Sequence, residues 1–220
     1  MIEDLARLIP ENLLHVSGSV FYSGRNAFRS TSPLYVLGVN PGGSPEAQSG
    51  ETIAWHTNKI LTVEPDDWSA YRDESWRNAP PGAGGMQPRV LHMMRRTGFA
   101  PGDVPASNVI FPRSQREGII KHEFASLANA CWQFHKAAIE LLRPRVILCF
   151  GGTAGGYVRD KLKASKQVSE FVESNNRRWR SSTHLGFNGI FVVTATHPSI
   201  ADWTAADTDP SHLVVEALAT

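Results

Sequence analysis

Four short runs of apolar and β-branched residues punctuate the chain, at residues 34–39, 108–111, 145–150 and 189–196. None alternates polar with apolar, which is the pattern of strands buried on both faces of a parallel sheet. Between the second and third runs, Phe124, Leu127, Cys131, Phe134, Ala138, Leu141 and Leu142 recur at helical spacing across residues 123–142. Pro144 ends that helix and feeds the next strand. Strand, crossover helix and parallel strand make one right-handed unit of an α/β fold. A further helix is expected from residue 86 or 89 to 97, where Val90, Leu91, Met93 and Met94 crowd one side, and another opens in residues 154–162. Residues 43–85, rich in Gly, Pro, Asp, Ser and Trp, read as a long ordered loop or insertion, a kind of segment that tends to carry function. Residues 165–182 are polar and basic.

The first and last runs each end in a rigid turn: Asn40-Pro41-Gly42 and His197-Pro198-Ser199. The C-terminal mouths of strands in open α/β sheets are where ligands bind, because backbone N–H groups there point at a crevice. Two such turns read as two walls of one site. Pro198 restricts His197 to extended geometry, which aims its ring from a strand end.

A length of 220 residues fits one domain, residues 1–220, with a full core. No internal repeat or second domain is visible. The N-terminus lacks a basic region followed by an apolar core, and no apolar stretch nears the ~20 residues that span a bilayer. The expectation is a soluble, intracellular protein in the cytoplasm, with no membrane partner. Cys131 and Cys149 are the only cysteines, too few for a four-thiolate zinc or iron–sulfur site, and their apolar settings read as buried thiols. The net charge of +1 neither demands nor excludes a nucleic acid, so DNA contact would need a local patch.

Several chemistries are missing. The turn Gly151-Gly152-Thr153-Ala154-Gly155-Gly156 lacks the Lys-Ser/Thr of a P-loop and does not fit the dinucleotide fingerprint; tight strand-to-helix packing accounts for it better. There is no Gly-x-Ser-x-Gly elbow and no His-Glu-x-x-His helix. The eight histidines show no metal-ligand spacing.

The order of the pieces resembles the uracil-DNA glycosylase superfamily. Gly38-Val39-Asn40-Pro41-Gly42 is similar to the first motif of its mismatch-specific and single-strand-selective monofunctional branches, and Ala47-Gln48-Ser49-Gly50 to the continuation in the latter. Ser107-Asn108-Val109-Ile110-Phe111-Pro112 sits where the family has its base-reading Asn, and His197-Pro198-Ser199 looks like the second motif. The likeness spans about residues 34–202. It implies a three-layer α/β/α fold around a central, mainly parallel four-stranded sheet. It also implies a monomeric, monofunctional DNA glycosylase without cofactor or metal, acting on uracil or a related deaminated or damaged base in single-stranded, mismatched or damaged DNA.

By the same resemblance, Asn40 holds the attacking water and His197 donates to the pyrimidine O2 as charge gathers there, with Gly38, Val39, Pro41, Gly42, Pro198 and Ser199 shaping the pocket. Asn108 reads the base edge, offering a donor to O4 and an acceptor to N3–H. The tightest uracil-specific branch carries a Tyr where this chain has Gly42, which implies a roomier pocket. The family's stacking aromatic has no clear match: Trp55 is nearest, although alignment puts the platform at residues 51–53. Ile200 and Trp203 follow the second motif where a duplex-penetrating loop belongs, with Trp203 either a wedge or packed on the body. Arg177, Arg178 and Arg180 are either phosphate contacts or a solvated face. The alternative function is a non-catalytic nucleic-acid or nucleotide-binding module on the same fold, and a weaker one is a phosphometabolite enzyme using residues 151–156.

Overall fold

The computed structural model describes residues 1–220 apart from the side chain of Glu117. Six strands form one sheet: β1 (Leu34–Gly38), β2 (Ala106–Asn108), β3 (Val146–Phe150), β4 (Lys166–Val172), β5 (Arg180–Leu185) and β6 (Phe191–Ala195). The helices are α1 (Ile2–Ala6), α2 (Ile53–Thr62), α3 (Ala70–Asp73), α4 (Gln87–Thr97), α5 (Glu117–Ile120), α6 (Phe124–Leu142), α7 (Gly152–Lys161) and α8 (Ser211–Ala219). The sheet order is β2-β1-β3-β6-β5-β4. Its first four members run parallel, and β5 and β4 continue it antiparallel.

Side-chain alternation along the parallel strands sorts the core into two layers. Tyr35, Leu37, Ile147, Cys149 and Val192 face one way, and Ala128, Cys131, Phe134 and Ala138 of α6 with Ala154 and Val158 of α7 cover them. Leu34, Val36, Leu148, Phe150 and Val193 face the other, under Val90, Met93 and Met94 of α4 and Leu213, Val214 and Ala217 of α8. Helices on both faces explain why the strand runs are continuously apolar rather than alternating. Helix α6 stops because Arg143 turns left-handed at φ 47° and its N–H donates to the Ile139 carbonyl, with Pro144 next. Both cysteines are buried thiols, and burial pushes Cys131 up to about 12 and Cys149 higher still.

Three expectations are corrected. The sheet has six strands, not four, because residues 165–182 form most of the β4–β5 hairpin; β4 is a charged edge strand whose polar face hides its strand character. Residues 43–85 are not one loop but contain α2, which starts where the Thr52 hydroxyl accepts from the Trp55 N–H, and the short α3. The second strand is Ala106–Asn108 rather than 108–111. Residues 109 and 110 instead donate to the Gly38 and Val39 carbonyls, so this chain crosses the mouth of β1. Among the described residues, no helix is long and apolar enough to cross a membrane.

Candidate active site

Because β2, β1, β3 and β6 are parallel neighbours, their C-terminal ends open on one edge of the sheet. Asn108 ends β2, Asn40 lies two residues past β1, Gly151 follows β3 and His197 lies two residues past β6. With strands about 4.8 Å apart, the exits bearing Asn40 and His197 are about 10 Å apart across the sheet.

The Asn40 side chain is oriented by backbone carbonyls. Its Nδ2 donates to the Pro41 oxygen at 2.7 Å and the Ser114 oxygen at 3.2 Å, and the Ser114 N–H donates to the same Pro41 oxygen at 3.0 Å. Carbonyls only accept, so the amide nitrogen must face them and Oδ1 is turned the other way. A fixed, neutral acceptor positions a water well and deprotonates it poorly.

His197 is oriented by the complementary device. The Ser199 N–H donates to His197 Nδ1 at 3.1 Å, so in the neutral ring the proton sits on Nε2. The ring lies edge to face with Phe150 at 6.1 Å between centroids, and beside Gly151, where an added Cβ would come within 3.7 Å of the imidazole Cδ2. The loop carrying it is held from two sides. Arg89 Nη1 of α4 donates to the Pro198 carbonyl at 2.5 Å, and Arg177 Nη1 of the β4–β5 turn donates to the Ile200 carbonyl at 2.6 Å.

Asn108 is 5% exposed, and its buried Nδ2 makes no hydrogen bond of ordinary geometry among the described residues, although the Tyr22 hydroxyl lies near this side chain. Its Oδ1 occupies the space beside Gly38: a Cβ there would stand 2.2 Å from it. At Gly42 an added Cβ meets nothing within 4 Å.

Val39 and Pro41 are buried, while Ser199 and Ile200 are exposed. Trp203 is a correction. It is fully buried against Phe150, with ring centroids 5.5 Å apart, and its indole N–H donates to the Thr196 carbonyl at 3.0 Å. A side chain so placed cannot wedge into a duplex, whereas Ile200 is 54% exposed. Arg177 also pairs with the buried Glu173 at 3.1 Å and stacks on Trp179 at 4.1 Å, and Arg180 pairs with Glu170. Arg178 is exposed and has no carboxylate partner among the described residues. Trp55 is 48% exposed on the first turn of α2, with Lys59 Nζ of the same helix 5.8 Å from its ring centroid.

Gly151 takes φ 88° and opens α7, and a Cβ on Gly155 would stand 2.2 Å from Thr194 Oγ1. The glycines of residues 151–156 thus let α7 lie on β6. Among the described residues, no cluster of His, Cys, Asp or Glu could hold a metal ion.

The sequence reading missed Tyr22, Arg113 and Ser114. The Tyr22 N–H donates to the Ala106 carbonyl at 2.9 Å, its ring meets Tyr71 and Trp76, and its hydroxyl lies near Ser19 and Asn108, where burial raises its pKa. It comes from a segment before β1, and only its aromatic character flags it. Arg113 and Ser114 stand just past Pro112, and a charged residue closing an apolar run at a strand mouth was the available signal.

Comparison with curated proteins gives no match. Residues 26–218 match the family model described as the uracil DNA glycosylase superfamily, nearly the whole chain, including all four strand mouths. The chain belongs to the uracil DNA glycosylase superfamily.

Proposed function

We propose that the protein is a monofunctional DNA glycosylase that hydrolyses the N-glycosidic bond of uracil or a related deaminated or damaged base. Membership of the superfamily supports DNA-glycosylase-type hydrolysis in general. The observation that carries the finer reading is a pair of side chains at one sheet edge, each held through one polar atom by backbone groups. Asn40 is held through Nδ2, which leaves Oδ1 as its acceptor, and His197 is held through Nδ1, which leaves the proton of the neutral ring on Nε2.

The chemistry follows from that pair. Extruding a nucleotide costs a few kcal/mol, least where the base is mismatched or single-stranded. As the glycosidic bond lengthens, positive charge grows at C1′ and negative charge on the base, and His197 Nε2–H stabilises the base oxygen as an oxyanion-hole donor does. Asn40 Oδ1 accepts from the water that adds late to C1′, which suits an acceptor too weak to remove a proton early. The Asn108 side chain, beside the Tyr22 hydroxyl, is assigned the base edge, and the absence of any atom within 4 Å of a Cβ at Gly42 leaves room for a substituent on the ring. Pro41, Val39 and Gly38 serve the backbone of this wall, Pro198 and Ser199 that of the other. Ile200 is the apolar tip for a duplex, and Arg178, exposed and without a carboxylate partner among the described residues, is the cation assigned to a phosphate.

The test is single-turnover release of base from labelled oligonucleotides carrying uracil, hypoxanthine or a 5-substituted uracil, as single strands and opposite guanine. Loss of His197 as His197→Ala lowers the rate about 10²–10³-fold, and Asn40→Ala with His197→Ala removes it. A wild-type rate no higher than that of the double variant on every substrate refutes the proposal and leaves the non-catalytic binding alternative.

A further inference from the structure

Arg113 lies outside every motif so far discussed, yet its side chain is only 9% exposed and reaches three separate segments. Its Nη1 donates to the Gly42 carbonyl at 2.5 Å, its Nη2 to Glu51 Oε2 at 3.0 Å and its Nε to the Ser17 hydroxyl at 3.3 Å. The acceptors are themselves linked. Ser17 Oγ donates to the Gln48 carbonyl at 2.8 Å, and Gln48 Nε2 donates to the same Glu51 oxygen at 2.8 Å. The Arg113 N–H donates to the Ser17 carbonyl at 2.8 Å, which fixes the base of the side chain as well as its tip.

The ring closes on Asn40. Ser114, the next residue, supplies the carbonyl that holds the Asn40 amide and the N–H that holds the Pro41 carbonyl. Gly43 completes the fit, because at φ 108° it lets Gln48 Oε1 and the guanidinium come where a Cβ would stand 2.1 Å and 3.1 Å from them.

We infer that Arg113 is a positioning residue of the candidate active site, fastening the turn after Asn40 to residues 48–51 and to the chain leaving Asn108. The inference rests on the glycosylase reading of Asn40. All three kinds of guanidinium nitrogen are committed to protein acceptors, so Arg113 acts on the geometry of the reacting wall and not on substrate affinity. A planar fork spans such divergent acceptors, and a lysine ammonium cannot. Misplacement of a catalytic group by about 1 Å costs about 10²-fold in rate.

The experiment compares wild type with Arg113→Met, Arg113→Lys and Glu51→Ala. It measures single-turnover base release from a uracil-containing single strand as a function of protein concentration, and amide hydrogen exchange across residues 38–52. In Arg113→Met the maximal rate falls about 10²-fold while half-saturation moves less than about threefold, and exchange accelerates at residues 42–51. Arg113→Lys recovers under a tenth of the loss. Glu51→Ala, which leaves Arg113 in place, loses about tenfold at saturation, and it decides the matter if Arg113→Met does not fold. A maximal rate unchanged in Arg113→Met, or a loss carried by half-saturation, overturns the inference. If wild type releases no base, the glycosylase reading fails, and the exchange arm alone judges the fastening: unchanged protection at residues 42–51 overturns it.

Discussion

Gly38→Ala is a single methyl placed against a single amide. Gly38 is buried in β1 and is not among the positive-φ glycines, so the backbone accepts alanine without strain. In a strand interior, replacing Gly by Ala is ordinarily stabilising by roughly 0.5–1 kcal/mol. Here the new Cβ stands 2.2 Å from Asn108 Oδ1 and 3.4 Å from its Cγ, so the amide has to withdraw by more than ordinary slack allows. Overpacking of this kind costs about 1–3 kcal/mol, which exceeds the intrinsic gain and reverses its sign. For a chain of this length each lost kcal/mol lowers the melting temperature by about 2–4 °C. The displacement also moves the amide proposed to read the base, and a shift of about 1 Å there costs about 10²-fold in rate. Melting and single-turnover base release, measured on Gly38→Ala and on Gly38→Ala combined with Asn108→Ser, separate the two effects. The shorter side chain relieves the collision, so the double variant regains the melting temperature and stays slow. A Gly38→Ala protein that melts no lower than wild type and releases base as fast refutes the claim that Gly38 exists to seat Asn108.

Three further outcomes are expected. His56 and His135 are buried, and burial lowers their pKa values to about 3 and about 4, with Lys59 and Arg113 adding to the effect at His56. A depressed folded-state pKa means that the unfolded chain binds more protons. Their contribution is therefore present above about 6.5 and is lost, at about 1.4 kcal/mol per pH unit for each, as pH falls toward 4; urea midpoints equal at pH 7 and pH 5 would contradict this. Trp203→Ala costs about 3–5 kcal/mol by urea unfolding, as for other buried aromatics, whereas Ile200→Ala leaves the midpoint in place and weakens binding to duplex substrate alone. Asn40→Asp puts a carboxylate oxygen against the Pro41 and Ser114 carbonyls, which raises its pKa, so this variant's stability deficit against wild type shrinks as pH is lowered in a thermal-melt series, and a deficit independent of pH would be evidence against the assigned amide orientation.

What the sequence disclosed depended on whether a residue's partners are near it in the chain or far. Three of the parallel strands, β1, β3 and β6, and α6 announce themselves because burial on both faces and helical spacing are local patterns, and the turns at Asn40 and His197 are local too; β2 is only three residues long and its apolar neighbours 109–111 displaced the reading. The β4–β5 hairpin was opaque because β4 is an exposed edge whose side chains need not be apolar. Trp203 was ambiguous for the opposite reason. Its burial comes from Phe150, 53 positions earlier in the chain, and no period in its own segment reports that contact. Arg113 was invisible for the same cause, since its acceptors sit at Ser17, Gly42 and Glu51.

The partners that orient the two central side chains are backbone groups, and this bears on how the site withstands change around it. Asn40 is turned by the carbonyls of Pro41 and Ser114, His197 by the N–H of Ser199. Substituting Ser114 or Ser199 leaves those atoms in place, provided the loop keeps its path. The constraint is thereby transferred from side-chain identity to loop path, and the residues that hold the loops are Arg113 on one wall and Arg89 and Arg177 on the other. Apart from Asn40 and His197 themselves, sensitivity to substitution should therefore be high at these three arginines and at Gly38, none of which has to touch a substrate, and low at the two serines beside the reacting groups. Ser114→Ala and Ser199→Ala releasing base at close to the wild-type rate, alongside a slow Arg113→Met, is the pattern this arrangement requires.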